Sequence, residues 1–96
     1  MRKNMTNSKS IITVVGKDQV GIIARVTGYL YRTNVNIEDI TQSIVQGFFN
    51  MMMIVDTSSA DRDFLVLSNE LEALGKEIGV IIKLQREDIF ESMQRI

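Results

Sequence analysis

Two stretches of this chain, Ile11-Ile12-Thr13-Val14-Val15 and Phe48-Phe49-Asn50-Met51-Met52-Met53-Ile54-Val55, are apolar in both phases of an extended strand. Successive side chains of a strand point to opposite faces. A sheet backed by helices on one side and by water on the other alternates apolar with polar residues, and these two strands do not. Both therefore belong at the centre of a sheet whose two faces are covered. The expected cover for the second face is the C-terminal segment, a second subunit, or both.

The remaining elements follow from changes of period. Ile22/Ile23, Val26, Leu30 and Thr33 recur at steps of three and four and predict a helix, with Gly21 before it. Asn34 is its expected left-handed C-cap. Val35–Ile44 predicts a strand. Val35 and Ile37 share one phase, and Ile40, Gln42 and Ile44 share the other, so a bulge is expected near Glu38-Asp39. Gln46-Gly47 supplies a hairpin turn. Beyond the loop at 56–60, Ser59 or Asp61 is expected to cap a second helix. Its apolar stripe is Phe64, Leu67, Leu71, Leu74 and Ile78, and Gly79 ends it. Val80–Leu84 is the fourth strand. Ile89, Phe90, Met93 and Ile96 then form one stripe of a short C-terminal helix. About ten residues do not hold a helix in water, so this one has to dock. Residues 1–9 read as a flexible tail, and 10–96 as a single domain.

The predicted order is β-α-β-β-α-β. Right-handed crossovers return each βαβ unit beside its own first strand, and two units joined by a hairpin interlock as an α+β, ferredoxin-like sandwich. Its four antiparallel strands carry both helices on one face, and its first and third strands are central. Those are the two doubly apolar strands of this chain. Since a domain of this size buries only about 60–65% of its unfolded surface, oligomerisation is expected to add to its stability.

Composition narrows the chemistry. The 96 residues contain no Cys, His, Trp or Pro. Thiolate metal sites and Cys nucleophiles are excluded, and the commonest general base and metal ligand is missing. No catalytic residue, metal ligand or cofactor site is assigned. Eleven Lys and Arg against twelve Asp and Glu leave a net charge of −1, which supplies no one-signed field for nucleic acid. Neither a signal-peptide core nor a membrane-length apolar run is legible, so the expected location is the cytoplasm.

Three features bear on binding. In Gly16-Lys17-Asp18-Gln19-Val20-Gly21, the N–H groups of the first helical turn (Gly21, Ile22, Ile23) can receive an anion such as a carboxylate. The competing role is that Asp18 caps the helix. Asn36 can offer both a donor and an acceptor to a small polar ligand, or serve in a turn. Glu38 and Asp39 point to opposite faces of a strand and make a poor acid/base or metal pair. Met51-Met52-Met53 reads as core and interface filling.

The stretch Thr13-Val14-Val15-Gly16-Lys17-Asp18-Gln19-Val20-Gly21-Ile22-Ile23-Ala24-Arg25-Val26, followed by Val35-Asn36-Ile37-Glu38-Asp39-Ile40, resembles the ACT domain, a small regulatory amino-acid-binding module of the same element order. It is especially similar to the ACT domains of formyltetrahydrofolate deformylase and of the glycine cleavage system repressor. From about Ser10 onward it also resembles stand-alone single-ACT proteins of unassigned role. The resemblance implies side-by-side pairing into one eight-stranded sheet. It places an effector amino acid between the loop after the first strand (Asp18, Val20, Gly21, Ile22) and Asn36 of the partner. The helix N–H groups would hold the α-carboxylate, while Asp18 and the Asn36 amide oxygen would hold the α-ammonium. Many family members carry Pro where this chain has Val20, and often a residue other than Asp at 18. The implied function is a homodimeric or higher homo-oligomeric sensor of a small amino acid or related metabolite, acting on a protein partner. The alternative is a protein–protein interaction domain with no metabolite.

Overall fold

A computed structural model describes residues 9–88. It contains β1 (Lys9–Lys17), α1 (Ile22–Arg32), β2 (Asn36–Val45), β3 (Phe48–Asp56), α2 (Phe64–Ile78) and β4 (Val80–Arg86). The sheet order is β2-β3-β1-β4, with every neighbouring pair antiparallel. The two doubly apolar strands are the central ones, and the fold is the ferredoxin-like α+β sandwich. β1 runs through Lys17 and not only to Val15, because Gly16 and Lys17 still pair with Phe49 and Phe48. The loop before α1 shrinks accordingly to Asp18–Gly21. The expected stripe at Ile89, Phe90, Met93 and Ile96, and all of the expected tail except Lys9, lie outside the described residues.

One phase of β1, β3 and β4 builds the core. Ile12 and Val14 of β1, Met51, Met53 and Val55 of β3, and Ile82 and Leu84 of β4 share a single cluster with Val26 and Leu30 of α1 and Leu67 and Leu71 of α2. Both helices therefore cover the same face. The methionine run divides by phase: Met51 and Met53 are buried, and Met52 is 40% exposed on the other face.

Local chemistry places the ends of the elements. Gln46 (φ 51°) and Gly47 (φ 83°) make the β2–β3 turn, and both take the left-handed backbone that its tight two-residue form requires. The bulge falls where the phase of β2 changes, between Ile37 and Asp39. Asn34 is left-handed at φ 63°. The N-cap of α2, however, is Asp63, whose carboxylate accepts from the Val66 N–H at 3.0 Å; it is neither Ser59 nor Asp61. The Asp61 N–H instead donates to the Thr33 carbonyl at 3.0 Å, and the Ser59 carbonyl accepts from the Asn34 amide at 2.9 Å. Both residues are held by the end of α1. At the far end of α2, Gly75 is buried. A Cβ there would stand 2.6 Å from the Val80 carbonyl oxygen, so only glycine lets α2 lie this close to β4.

Candidate functional site

The loop residues expected to bind are brought together at the C-terminal end of β1. Gly21 adopts φ 95° and forms the N-cap of α1 with no side-chain cap. The first intrahelical bond runs from the Arg25 N–H to the Gly21 carbonyl at 2.9 Å. The N–H groups of Ile22, Ile23 and Ala24 precede it, and no acidic residue occupies this first turn. Asp18 thus does not cap α1. Its own N–H donates to the Gly47 carbonyl at 2.9 Å, which fastens the loop to the β2–β3 turn. Gln19 Nε2 donates to the Ile78 carbonyl at 2.8 Å and ties the same loop to the end of α2. Val20 is wholly exposed at the loop tip, whereas Ile22 is buried. The loop is therefore braced on both flanks and presents Asp18 and Val20 to solvent.

Asn36 lies elsewhere. It is the first residue of β2 and is level with Asp56 and Lys9, at the end of the sheet where β1 begins. Eight residues of β1 separate that level from Lys17, which is about 26 Å. The left-handed turn position belongs to Asn34, so the alternative turn role for Asn36 falls away. Asn36 is exposed and borders a depression of about 330 Å³ lined also by Tyr31, Asn34, Val35 and Ser59. Within one chain, then, Asp18, Val20, Gly21 and Ile22 form one cluster and Asn36 a second. No single protomer brings them into one site.

The acidic pair beside Asn36 behaves as its spacing predicts. Glu38 pairs with Lys9. The Asp39 carboxylate accepts from the Ile40 N–H at 2.9 Å. Among the described residues no group of three His, Cys, Asp or Glu is close enough to hold a metal ion, and no helix is long and apolar enough to cross a membrane.

A polar cluster joining the two helices is not anticipated by the motif reading. The Tyr29 hydroxyl of α1 donates to Glu70 Oε1 of α2 at 2.7 Å, and Arg62 Nη1 donates to the same oxygen at 2.7 Å. Arg62 also makes a two-pronged contact with Asp61. Burial, and then the bond to Glu70, pushes the Tyr29 hydroxyl well above the usual tyrosine range. The hydrogen bond from Tyr29, and then that from Arg62, holds Glu70 below the usual carboxylate value. Tyr29 follows Val26 by three residues, and that spacing was the available signal for its burial.

Comparison with known proteins bears on this geometry. The sequence profile of the ACT domain family matches residues 9–85. A UPF0237 protein of Bifidobacterium longum is 60% identical over 89 residues, covering 93% of this chain and 99% of that protein. Among solved structures, an ACT domain protein from Streptococcus pneumoniae superposes with a TM-score of 0.77 at 44% identity, covering 90% of this chain and 97% of that one. A formyltetrahydrofolate deformylase from Pseudomonas syringae (TM-score 0.75, 18% identity, 81% of this chain and 27% of that one) shares the fold. So does a putative glycine cleavage system transcriptional repressor (TM-score 0.72, 24% identity, 81% of this chain and 44% of that one). The continuous match from β1 through β4, together with relatives covered over nearly their whole length, places the chain in the ACT domain family.

Proposed function

We propose that this chain is a regulatory, non-catalytic cytoplasmic module that senses an amino acid or related metabolite at a homodimer interface. The observation that carries the reading is the placement of Asn36 and the Asp18–Ile22 loop at opposite ends of the sheet, with the loop fastened to the β2–β3 turn by the Asp18–Gly47 bond. β2 is an outer strand with an unpaired backbone edge. Its Ile40 and Ile44, 44% and 56% exposed, leave apolar surface uncovered on the helix side of that edge. Antiparallel pairing of β2 with β2 of a second copy, about a two-fold axis, reverses one sheet against the other. Asn36 of each copy then lies at the end where the partner carries its Asp18 loop and β2–β3 turn.

In such a site the first-turn N–H groups of α1 receive the ligand carboxylate, with the positive end of the helix dipole behind them. Asp18 and the Asn36 amide oxygen accept from the ammonium group. Signalling follows by linkage: the ligand shifts the assembly only by the difference in its affinity for two pairing geometries.

The test is a thermal-shift and calorimetric panel of amino acids, followed by complementation. A ligand at 100 times its Kd adds about 2.7 kcal/mol to the stability of the form that binds it. Asp18→Ala and Asn36→Ala homodimers should both fail to bind. A heterodimer of the two variants retains one intact site of two and should bind at half the wild-type stoichiometry. Folded, dimeric protein that responds to no amino acid would replace this reading with a ligand-free interaction domain. Loss of binding with no recovery in the mixed dimer would reject a site shared between copies.

A further inference from the structure

The depression of about 330 Å³ beside Asn36 holds the groups that the side chain of a ligand bound at that amide would meet. α1 supplies Tyr31 from its last turn, the connection to β2 supplies Asn34 and Val35, and Ser59 comes from the loop between β3 and α2. None of these lining residues is charged. The charges around them are already engaged. Lys9 pairs with Glu38, and Arg62 pairs with Asp61 and Glu70. The Asp56 carboxylate accepts from the Ser58 N–H at 2.9 Å. Arg32 folds back along its own helix, with Nη1 3.5 Å from where a Cβ on Gly28 would stand. An ionised side chain entering the depression would lose water and gain no counter-charge, which is costly.

Three features then select among neutral side chains. Tyr31 is 86% exposed, so its ring is open to a flat group. Asn34 Nδ2 donates to the Ser59 carbonyl at 2.9 Å. A carbonyl only accepts, so the amide nitrogen must face it, and Oδ1 is what Asn34 has left to offer. The hydroxyls of Tyr31 and Ser59 have no hydrogen-bond partner among the described residues, and each can donate. The complementary side chain is therefore flat, donates to Asn34 and accepts from a hydroxyl. A carboxamide meets all three conditions, since it is planar, its nitrogen donates and its oxygen accepts. An aliphatic side chain would cover the same polar groups and leave them unpaired.

We propose that the ligand of this chain is a carboxamide amino acid, glutamine or asparagine, whose side chain lies against Tyr31 between Asn34 and Ser59. The assignment rests on the reading that Asn36 and the Asp18 loop of a second copy hold the head group. Tyr31 is then a specificity-determining residue, and Asn36 joins the head-group site to the side-chain site.

Calorimetry of the wild-type dimer with glutamine, asparagine, glutamate, aspartate, lysine, leucine and tyrosine tests the assignment. A carboxamide should bind at least about tenfold more tightly than each of the other five, because a site built to pair polar groups rejects ligands that leave them unpaired. Tyr31→Ala should weaken that binding by about tenfold, and Tyr31→Phe, which keeps the ring, should recover most of it. Ser59→Lys places a cation where the existing contact is made by the backbone carbonyl alone, and should move the preference toward the matching carboxylate amino acid. Tightest binding of a different amino acid, lost in Asp18→Ala, overturns the carboxamide assignment and leaves the shared site standing. Carboxamide binding that is unchanged by both Tyr31→Ala and Ser59→Lys overturns the placement of the side chain. Folded, dimeric protein that binds none of the seven overturns the assignment, and the full amino-acid panel then decides whether the shared site falls with it.

Discussion

The Asp18 N–H donates a 2.9 Å hydrogen bond to the Gly47 carbonyl, so the loop that opens α1 and the turn that closes the β2–β3 hairpin are one braced unit. The site proposed for a second copy's Asn36 is built at this junction. Its geometry depends on two left-handed glycines, Gly21 and Gly47, neither of which has an atom within 4 Å of where a Cβ would stand.

Gly21→Val should leave the fold intact and abolish amino-acid binding. There is open space for the side chain, but φ 95° is strained for a β-branched residue, at a cost of about 1–3 kcal/mol. The loop relieves that strain by moving its N–H groups off the ligand carboxylate. Circular dichroism and calorimetry on the same sample check it, and wild-type affinity in Gly21→Val would remove the helix N-terminus from the site.

Burial of the Tyr29 hydroxyl, together with its bond to Glu70, makes stability depend on pH at both ends of the range. Glu70 is depressed in the folded state, so its contribution is present above the ordinary carboxylate value and is lost as the pH falls below it. The Tyr29 hydroxyl is raised, so its contribution is complete below the ordinary tyrosine value of about 10 and is lost as the pH climbs beyond it. Urea unfolding across pH should show both declines. Glu70→Gln should flatten the acidic one and bring the Tyr29 phenolate transition to lower pH. An unchanged acid limb would show that the contact between α1 and α2 carries no coupling.

Gly75→Ala should be more damaging than a helical Gly→Ala exchange usually is. Alanine ordinarily favours a helix by about 1 kcal/mol. Here the added methyl meets the Val80 carbonyl oxygen at 2.6 Å and Ile82 Cγ1 at 3.1 Å, and both belong to the start of β4. Overpacking of this kind costs about 1–3 kcal/mol, which reverses the sign. A raised melting temperature would mean that β4 can shift freely away from α2.

Asp63→Ala should destabilise by about 1 kcal/mol, the usual loss of an N-cap. Ser59→Ala should be close to neutral, because the contact at residue 59 is made by its backbone carbonyl. Chemical denaturation of the two variants side by side separates the observed cap from the one that residue type alone suggests.

Much of the fold is written in the one-dimensional pattern. The phases of Ile11–Val15 and Phe48–Val55 put those strands at the centre, the phase change within β2 located the bulge, and Asn34, Gly47 and Gly79 all take left-handed backbone as their residue types suggest. These properties arise from local sterics and from the burial period of each segment, which the order of residues carries directly. Three others do not follow from it. Asp63 caps α2 because Ser59 and Asp61 are drawn to the end of α1, and Gly75 is required because α2 and β4 approach backbone to backbone. Asn36 and Gly21, only fifteen positions apart in the chain, end up at opposite ends of the sheet. Each of these depends on where a distant segment comes to rest. Residue types suggested which groups to propose for an amino acid; the tertiary structure alone decided that a single protomer does not bring them together, because α1 and the residues after it carry the chain back toward the start of β1 before Asn36 is reached.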